Sequence, residues 1–280
     1  MISATGPQAR PPAGWQRLAI SMLAAAFATA ACGGQATTPN STSAATSRPS
    51  VAESVTPSVT PLLFGCSQEA PCNLEAGTYE TSGQYAFLRG LRVTVPAGWF
   101  SDEQDAGEFN LHPVREADAS VSFWKDLTAV ANDPAGTPVA GVSGSPDSFV
   151  SWLRSNTDLV VTEPRPTMIG RLAAVTLDIQ VASTAKGFSS DCPPGLSPCV
   201  SFMRDVDHWD GPYSLFRGEI LRAYFAAIGP ASDHIFIVGV HAPGFPPSGA
   251  ALDGAALEAF TERVGPILDS VVIPDVIVDD

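Results

Sequence analysis

Residues 235–240 read Ile-Phe-Ile-Val-Gly-Val. In an extended strand successive side chains point to opposite faces, so a half-buried strand alternates apolar with polar residues. This segment is apolar on both faces, which places it centrally in a sheet covered on both sides. The strand-like Glu-Ile-Leu-Arg-Ala-Tyr-Phe-Ala-Ala-Ile at 219–228 precedes it, and the turn-like Gly-Pro-Ala-Ser-Asp between them predicts an antiparallel hairpin.

A sheet covered twice needs covering elements, and the sequence offers two helices. At 145–155 Ser145 can cap, Pro146 falls at the first helical position, and Phe149, Val150, Trp152 and Leu153 share one face. Over about 253–270 Ala256, Phe260, Val264 and Ile267 form a stripe, with a kink expected at Gly265-Pro266. Short segments with β-branched or aromatic residues fill much of the rest: 77–81, 91–96, 108–113, 119–124, 158–162, 166–170, 171–181 and, closing the chain, 271–275.

Strands, helix, strands and C-terminal helix in that order predict an α+β fold, an antiparallel β-sheet with flanking helices. Leu-Arg-Val-Thr-Val-Pro-Ala-Gly-Trp at 91–99, the strand around Phe109, the helix with Trp152, the segment 168–181 and Ile-Leu-Asp-Ser-Val-Val-Ile at 267–273 resemble the PsbP-like sandwich found in many exported proteins. The resemblance implies a fold over about residues 90–275 and carries over no catalytic residue. Trp99 and Trp152, set among apolar neighbours, are expected in the core.

The N-terminal 61 residues are of another kind. Residues 9–17 supply Arg10 and Arg17, residues 18–31 are small or apolar, and Cys32 follows at once. That is the layout of an export signal, with an apolar centre too short for a comfortable transmembrane helix. Ala30, Ala31 and Cys32 resemble the end of a bacterial lipoprotein signal, with Thr29 where that family usually has Leu. The resemblance implies cleavage before Cys32 and diacylation of its thiol. Ala28-Thr29-Ala30 also fits an ordinary A-x-A cleavage site, and an uncleaved signal would serve as an anchor. The expected division is 1–31 signal peptide, 32–61 lipidated cysteine and a disordered Thr, Ser and Pro tether, and 62–280 a single folded domain. As flexible coil the tether spans on the order of 30 Å.

Four further cysteines remain, an even number: Cys66 and Cys72, then Cys192 and Cys199. Neither spacing is the C-x₂-C of a zinc or redox motif. Local pairing, Cys66 with Cys72 and Cys192 with Cys199, is preferred over the two alternative connectivities because short loops containing Pro or Gly bring the ends together.

The formal charge is −14, and loss of residues 1–31, which hold two arginines and no acid, makes the chain more negative still. With only Lys125 and Lys186 as lysines and no basic run, nucleic acid is excluded as a partner, and electrostatic attachment to anionic lipid with it. No catalytic constellation is complete. Ser183-Thr184-Ala185-Lys186 has S-x-x-K spacing without its companion motifs, and 141–145 misses G-x-S-x-G at its last residue. His112, His234 and His241 lie at strand ends and are expected to be structural.

The connection at 183–218 is long for a compact domain, and loops beyond about 12–15 residues are usually functional or disordered. Within it Asp205, Asp207, His208, Trp209, Asp210 and Tyr213 gather acids and aromatics at 205–213. The spacing fails the EF-hand pattern, so no metal or other cofactor is assigned. The residue types instead suit a recognition loop; the competing expectation is that the aromatics fold back onto the sheet. The function expected is a non-enzymatic, lipid-anchored protein on the extracytoplasmic face of the cell membrane, binding an envelope protein or assisting envelope assembly. A binding protein for a small molecule or envelope glycan is the alternative.

Overall fold

The structure, a computed structural model, describes residues 59–61, 66, 70–81, 89–101, 108–116, 119–133, 135–142, 144–187, 192, 197–205, 212–229, 234–242 and 254–274. Cys32 and the signal and tether residues before Val59 lie outside the described residues. In chain order the strands are β1 (Val59–Pro61), β2 (Cys72–Leu74), β3 (Gly77–Glu80), β4 (Arg92–Val95), β5 (Trp99–Ser101), β6 (Glu108–Pro113), β7 (Ser120–Lys125) and β8 (Thr128–Ala129). After helix α1 (Pro146–Ser155) come β9 (Leu159–Val161), β10 (Arg165–Ile169), β11 (Leu172–Val181), β12 (Cys199–Arg204), β13 (Tyr213–Phe216), β14 (Ile220–Ile228) and β15 (His234–His241), then α2 (Gly254–Asp269).

The segment apolar on both faces is β15, and it sits between β14 and β7 near the middle of a nine-stranded sheet ordered β10-β11-β14-β15-β7-β6-β5-β2, with β9 also on β11. Every pairing in this sheet is antiparallel. Phe236, Val238 and Val240 point to one face, where they pack with Leu257, Phe260, Val264 and Ile267 of α2 and with Val93 and Val95 of β4. Ile235 and Ile237 point to the other, where Phe149, Val150 and Leu153 of α1 meet Val200, Phe202 and Leu215 of β12 and β13. The α+β class is therefore observed, with one helix on each face.

Helix α1 begins as its sequence predicts: the Ser145 hydroxyl accepts from the Ser148 N–H and Pro146 opens the first turn. Helix α2 runs through Pro266 to Asp269 and is fastened at its C-terminal end, where the Gly170 N–H donates to Leu268 O. Gly170 has φ 54°, and a β-carbon there would lie 1.9 Å from Val271 O, so only glycine allows the β10 to β11 turn to approach α2 this closely. Two expectations change. Of the strand expected at 271–275, the described residues 271–274 make none; Val272 forms a single antiparallel bridge with Arg92. Val59–Pro61, placed in the tether by its composition, pairs in parallel with β3, because backbone hydrogen bonding asks nothing of apolar content.

Both ends of the large sheet are blunted against further pairing. At one end β9 and β10 lie along β11 as one interrupted edge, with Pro164 in the break and Pro166 inside β10. At the other, β2 is three residues long and its first residue, Cys72, is joined to Cys66. The second disulfide joins Cys192 to Cys199, the first residue of β12. Both pairs are the local ones expected, with Cα separations of 5.4 and 5.6 Å. Each ties a loop residue to the start of a strand.

Candidate functional site

The described part of the long connection between β11 and β14 is structured. Its strands β12 and β13 form an antiparallel hairpin, extended by β8, that covers one face of the large sheet. The aromatics at its base fold inward: Phe202 is 2% exposed and Tyr213 is half-buried. Tyr213 sets its ring edge-on against Trp124 at 5.3 Å, and its hydroxyl donates to Glu108 Oε2 at 3.1 Å. Across the hairpin the Ser201 and Ser214 hydroxyls are 3.0 Å apart, and the Ser201 N–H donates to Asn132 Oδ1. Arg204 Nη1 donates to Ala135 O at 3.5 Å. Asp205 is buried. The register shifts between Ser201 and Met203, a bulge of the kind that re-aims a strand beside a functional loop.

What remains of the expected recognition loop is residues 206–211, the link between the two strands of this hairpin. Asp207, His208, Trp209 and Asp210 lie outside the described residues. Asp205 and Tyr213, at the two ends, are held by the packing just described. Of the acids and aromatics that sequence spacing groups together, Asp205 and Tyr213 thus belong to the base of the hairpin.

A second feature lies at the corner where β7 passes into β8. A cavity of about 170 Å³ is lined there by Asp126, Leu127, Thr128, Ala129, Val142, Gly144, Phe149 and His234. Asp126 has φ 56°, a left-handed conformation that asparagine and aspartate tolerate better than other residues with a side chain. Its N–H donates to Ile235 O at 2.8 Å, and its Oδ1 accepts the Ile235 N–H at 2.9 Å, so the corner continues the β7 to β15 ladder through a side chain. Oδ2 meets His234 Nδ1 at 2.7 Å and Lys125 Nζ at 3.5 Å. Thr128 and Ala129 pair with Arg204 and Met203, so the cavity adjoins the base of the β12 to β13 hairpin.

The strand-end histidines each have a partner that sequence could not supply. His234 pairs with Asp126, 108 residues away; His241 Nδ1 is 2.8 Å from Glu219 Oε1; His112 Nδ1 is 3.0 Å from Ala119 O. The S-x-x-K residues form the turn after β11, where Lys186 O accepts from Asn132 Nδ2. Among the described residues no group of three or more His, Cys, Asp or Glu side chains is arranged to hold a metal ion. Trp99 is buried against Phe260, and Trp152 packs edge-on against Phe149.

No family model matches the chain, and no curated protein does. Among solved structures it is similar to cyanobacterial PsbP (CyanoP) from Synechocystis sp. PCC 6803, with 9% identity and a TM-score of 0.35 over 72% of this chain and 95% of that one. It is also similar to a protein of Bacteroides thetaiotaomicron VPI-5482, with 8% identity and a TM-score of 0.32 over 72% of this chain and 49% of that one. At this distance no site residue passes from either protein to this chain.

Proposed function

We propose that this chain is a non-enzymatic extracytoplasmic protein, held at the membrane by lipid on Cys32, whose folded part binds another protein. The observation that supports a binding role is the anchoring of the β12 to β13 hairpin. Its base is packed on Trp124, bonded to Glu108 and tied to Asn132 and Ala135, so the strands that flank residues 206–211 in the sequence form a fixed platform. Binding residues are most often carried on such loops over a rigid scaffold, and Trp209 between acids offers a large, stiff contact surface. The cavity at the β7 to β8 corner, about 170 Å³, is itself smaller than the about 300–1,000 Å³ usual for small-molecule sites, so it does not favour the small-molecule alternative.

Trp209→Ala tests the reading in the full chain, with crosslinking in the cell envelope to detect the partner. The variant is expected to lose the crosslinked species while its melting temperature moves by less than about 2 °C, as for a surface substitution. A fall of many degrees would make Trp209 a core residue and end the proposal. The anchor has its own test: Cys32→Ser is expected to move the chain out of the membrane fraction or leave it unprocessed. A mature chain starting at Ala31 without acyl mass would show secretion instead.

A further inference from the structure

The cavity at the β7 to β8 corner has the volume of one side chain. An apolar cavity of about 150 Å³ holds a single benzene ring, and this one is about 170 Å³. Much of its lining is apolar: Phe149, Leu127 and Ala129 are each 2% exposed or less, and Val142 packs beside them. The polar residues of the lining are Asp126, Thr128 and His234. The lining divides about evenly between apolar and polar surface and opens to solvent, so a ring that enters meets hydrocarbon on one side and an acceptor on another.

Asp126 has capacity to spare. A carboxylate offers about four lone-pair positions; Oδ1 takes the Ile235 N–H, and Oδ2 faces His234 and Lys125. The side chain is 37% exposed, so a donor arriving from solvent can reach it. The Lys125 ammonium 3.5 Å away disfavours a second cation at the same oxygen. The donor that fits is neutral. Asp126 also holds a left-handed backbone, and strain of this kind concentrates at ligand sites.

We propose that this cavity is a socket for the phenol ring of a tyrosine on the protein partner, with the ring against Phe149 and the hydroxyl donating to Asp126. A whole metabolite would overfill it, whereas a partner's side chain brings only the part that fits. The socket also adjoins the base of the hairpin, since its strand β8 pairs with the end of β12 that leads into residues 206–211. The socket rests on the protein-binding reading given above.

The test uses the full chain in non-ionic detergent, observed by NMR, with p-cresol as the tyrosine side chain and toluene as the same ring without its hydroxyl. p-Cresol is expected to shift the Gly144 and Ile235 amides saturably and to bind at least about tenfold tighter than toluene, the advantage of a hydrogen bond to a charged acceptor. Asp126→Asn preserves a residue that tolerates the left-handed backbone, and is expected to bring p-cresol down to the toluene affinity. Equal binding of the two probes to the unsubstituted chain, or no saturable shift at these amides, overturns the socket while leaving the protein partner untouched. A phenolic metabolite released from the native protein on denaturation overturns the side-chain source in favour of a free ligand. Loss of the envelope crosslink in Asp126→Asn, at unchanged melting temperature, supports the side-chain source.

Discussion

Gly239 and Trp124 occupy adjoining space: a β-carbon on Gly239 would stand 2.6 Å from Cζ3 and 2.7 Å from Cη2 of the indole, and 3.1 Å from Leu221 Cδ1. Gly239 pairs with Ser122 and Trp124 with Ile237, so the indole leans diagonally across the neighbouring strand and uses the missing side chain as its seat. Its N–H is buried with no hydrogen-bond partner among the described residues, so packing alone holds the ring. Trp124 in turn supports Tyr213 and the hairpin base.

Gly239→Ala is expected to destabilise the fold by about 1–3 kcal/mol through overpacking. A lower urea midpoint at unchanged slope measures it, together with a changed near-ultraviolet dichroism of Trp124. An unaltered midpoint would mean that the indole moves aside freely and is no part of the hairpin's support.

Tyr213→Phe separates the two contacts of Tyr213. The edge contact with Trp124 survives, while Glu108, 5% exposed, loses the hydroxyl donor. The expected cost is about 1–3 kcal/mol, that of taking a partner from a buried polar group. Partner binding is expected to persist, because Tyr213 belongs to the base of the hairpin and not to residues 206–211. Loss of binding at unchanged stability would return Tyr213 to the recognition surface.

How much of this was legible in the sequence depended on how local each signal was. Helix α1 carried its own cap, proline and apolar face within residues 145–155, and the β14 to β15 hairpin carried its own turn, so both are as expected. Strands β12 and β13 were hidden, because Cys-Val-Ser-Phe-Met-Arg and Tyr-Ser-Leu-Phe are short and bounded by Cys, Pro, Asp and Gly, the residues of loops. Their period-two signal appears only when Val200, Phe202 and Leu215 are seen against the sheet. The cavity was illegible for a different reason. Asp126 and His234 meet across two strands, and neither has a recognisable partner nearby in the chain.

Both disulfides bind a loop residue to the start of a strand, and Cys199, 1% exposed, is the more deeply packed of the second pair. Closing so short a loop stabilises by about 2–3 kcal/mol in the entropic model. Cys192→Ser, made together with Cys199→Ser to leave no free thiol, is expected to lower the unfolding free energy by that amount. Peptide mapping without reductant is expected to recover Cys66 with Cys72 and Cys192 with Cys199. A Cys66 to Cys199 peptide would mean a staple across the domain.

A buried arginine fastens α2 to the sheet. Arg222, with its side chain 6% exposed, donates to both oxygens of Asp178 at 2.7 and 2.9 Å and to both of Glu258 at 2.9 and 2.7 Å. The hydrogen bonds Arg222 donates to Glu258 and Asp178 hold the guanidinium charged well above its ordinary range and hold the Glu258 carboxyl below its own. Arg222→Met is expected to cost about 3–5 kcal/mol, chiefly because Asp178, 17% exposed, keeps only Arg165 at 3.8 Å. Glu258 is 59% exposed and contributes little of that loss. Adding Asp178→Leu is expected to recover most of the stability, since a well-packed apolar pair can replace a buried ionic one. The pH dependence follows from the lowered carboxyl. A folded-state value below the unfolded one stabilises above the usual glutamate range of about pH 4, and that stabilisation is lost as pH falls through the folded value. The unsubstituted chain is therefore expected to lose more stability between pH 6 and pH 3 than Arg222→Met does, when urea midpoints are compared across that range. Glu116, held down in the same way by the hydrogen bond from Arg263, adds an acid-labile share common to both chains and cancels in the comparison. Equal slopes would show that Glu258 has no share in the clamp, and a cost for Arg222→Met below about 1 kcal/mol would show that apolar packing of Phe260 and Val264 holds α2 without it.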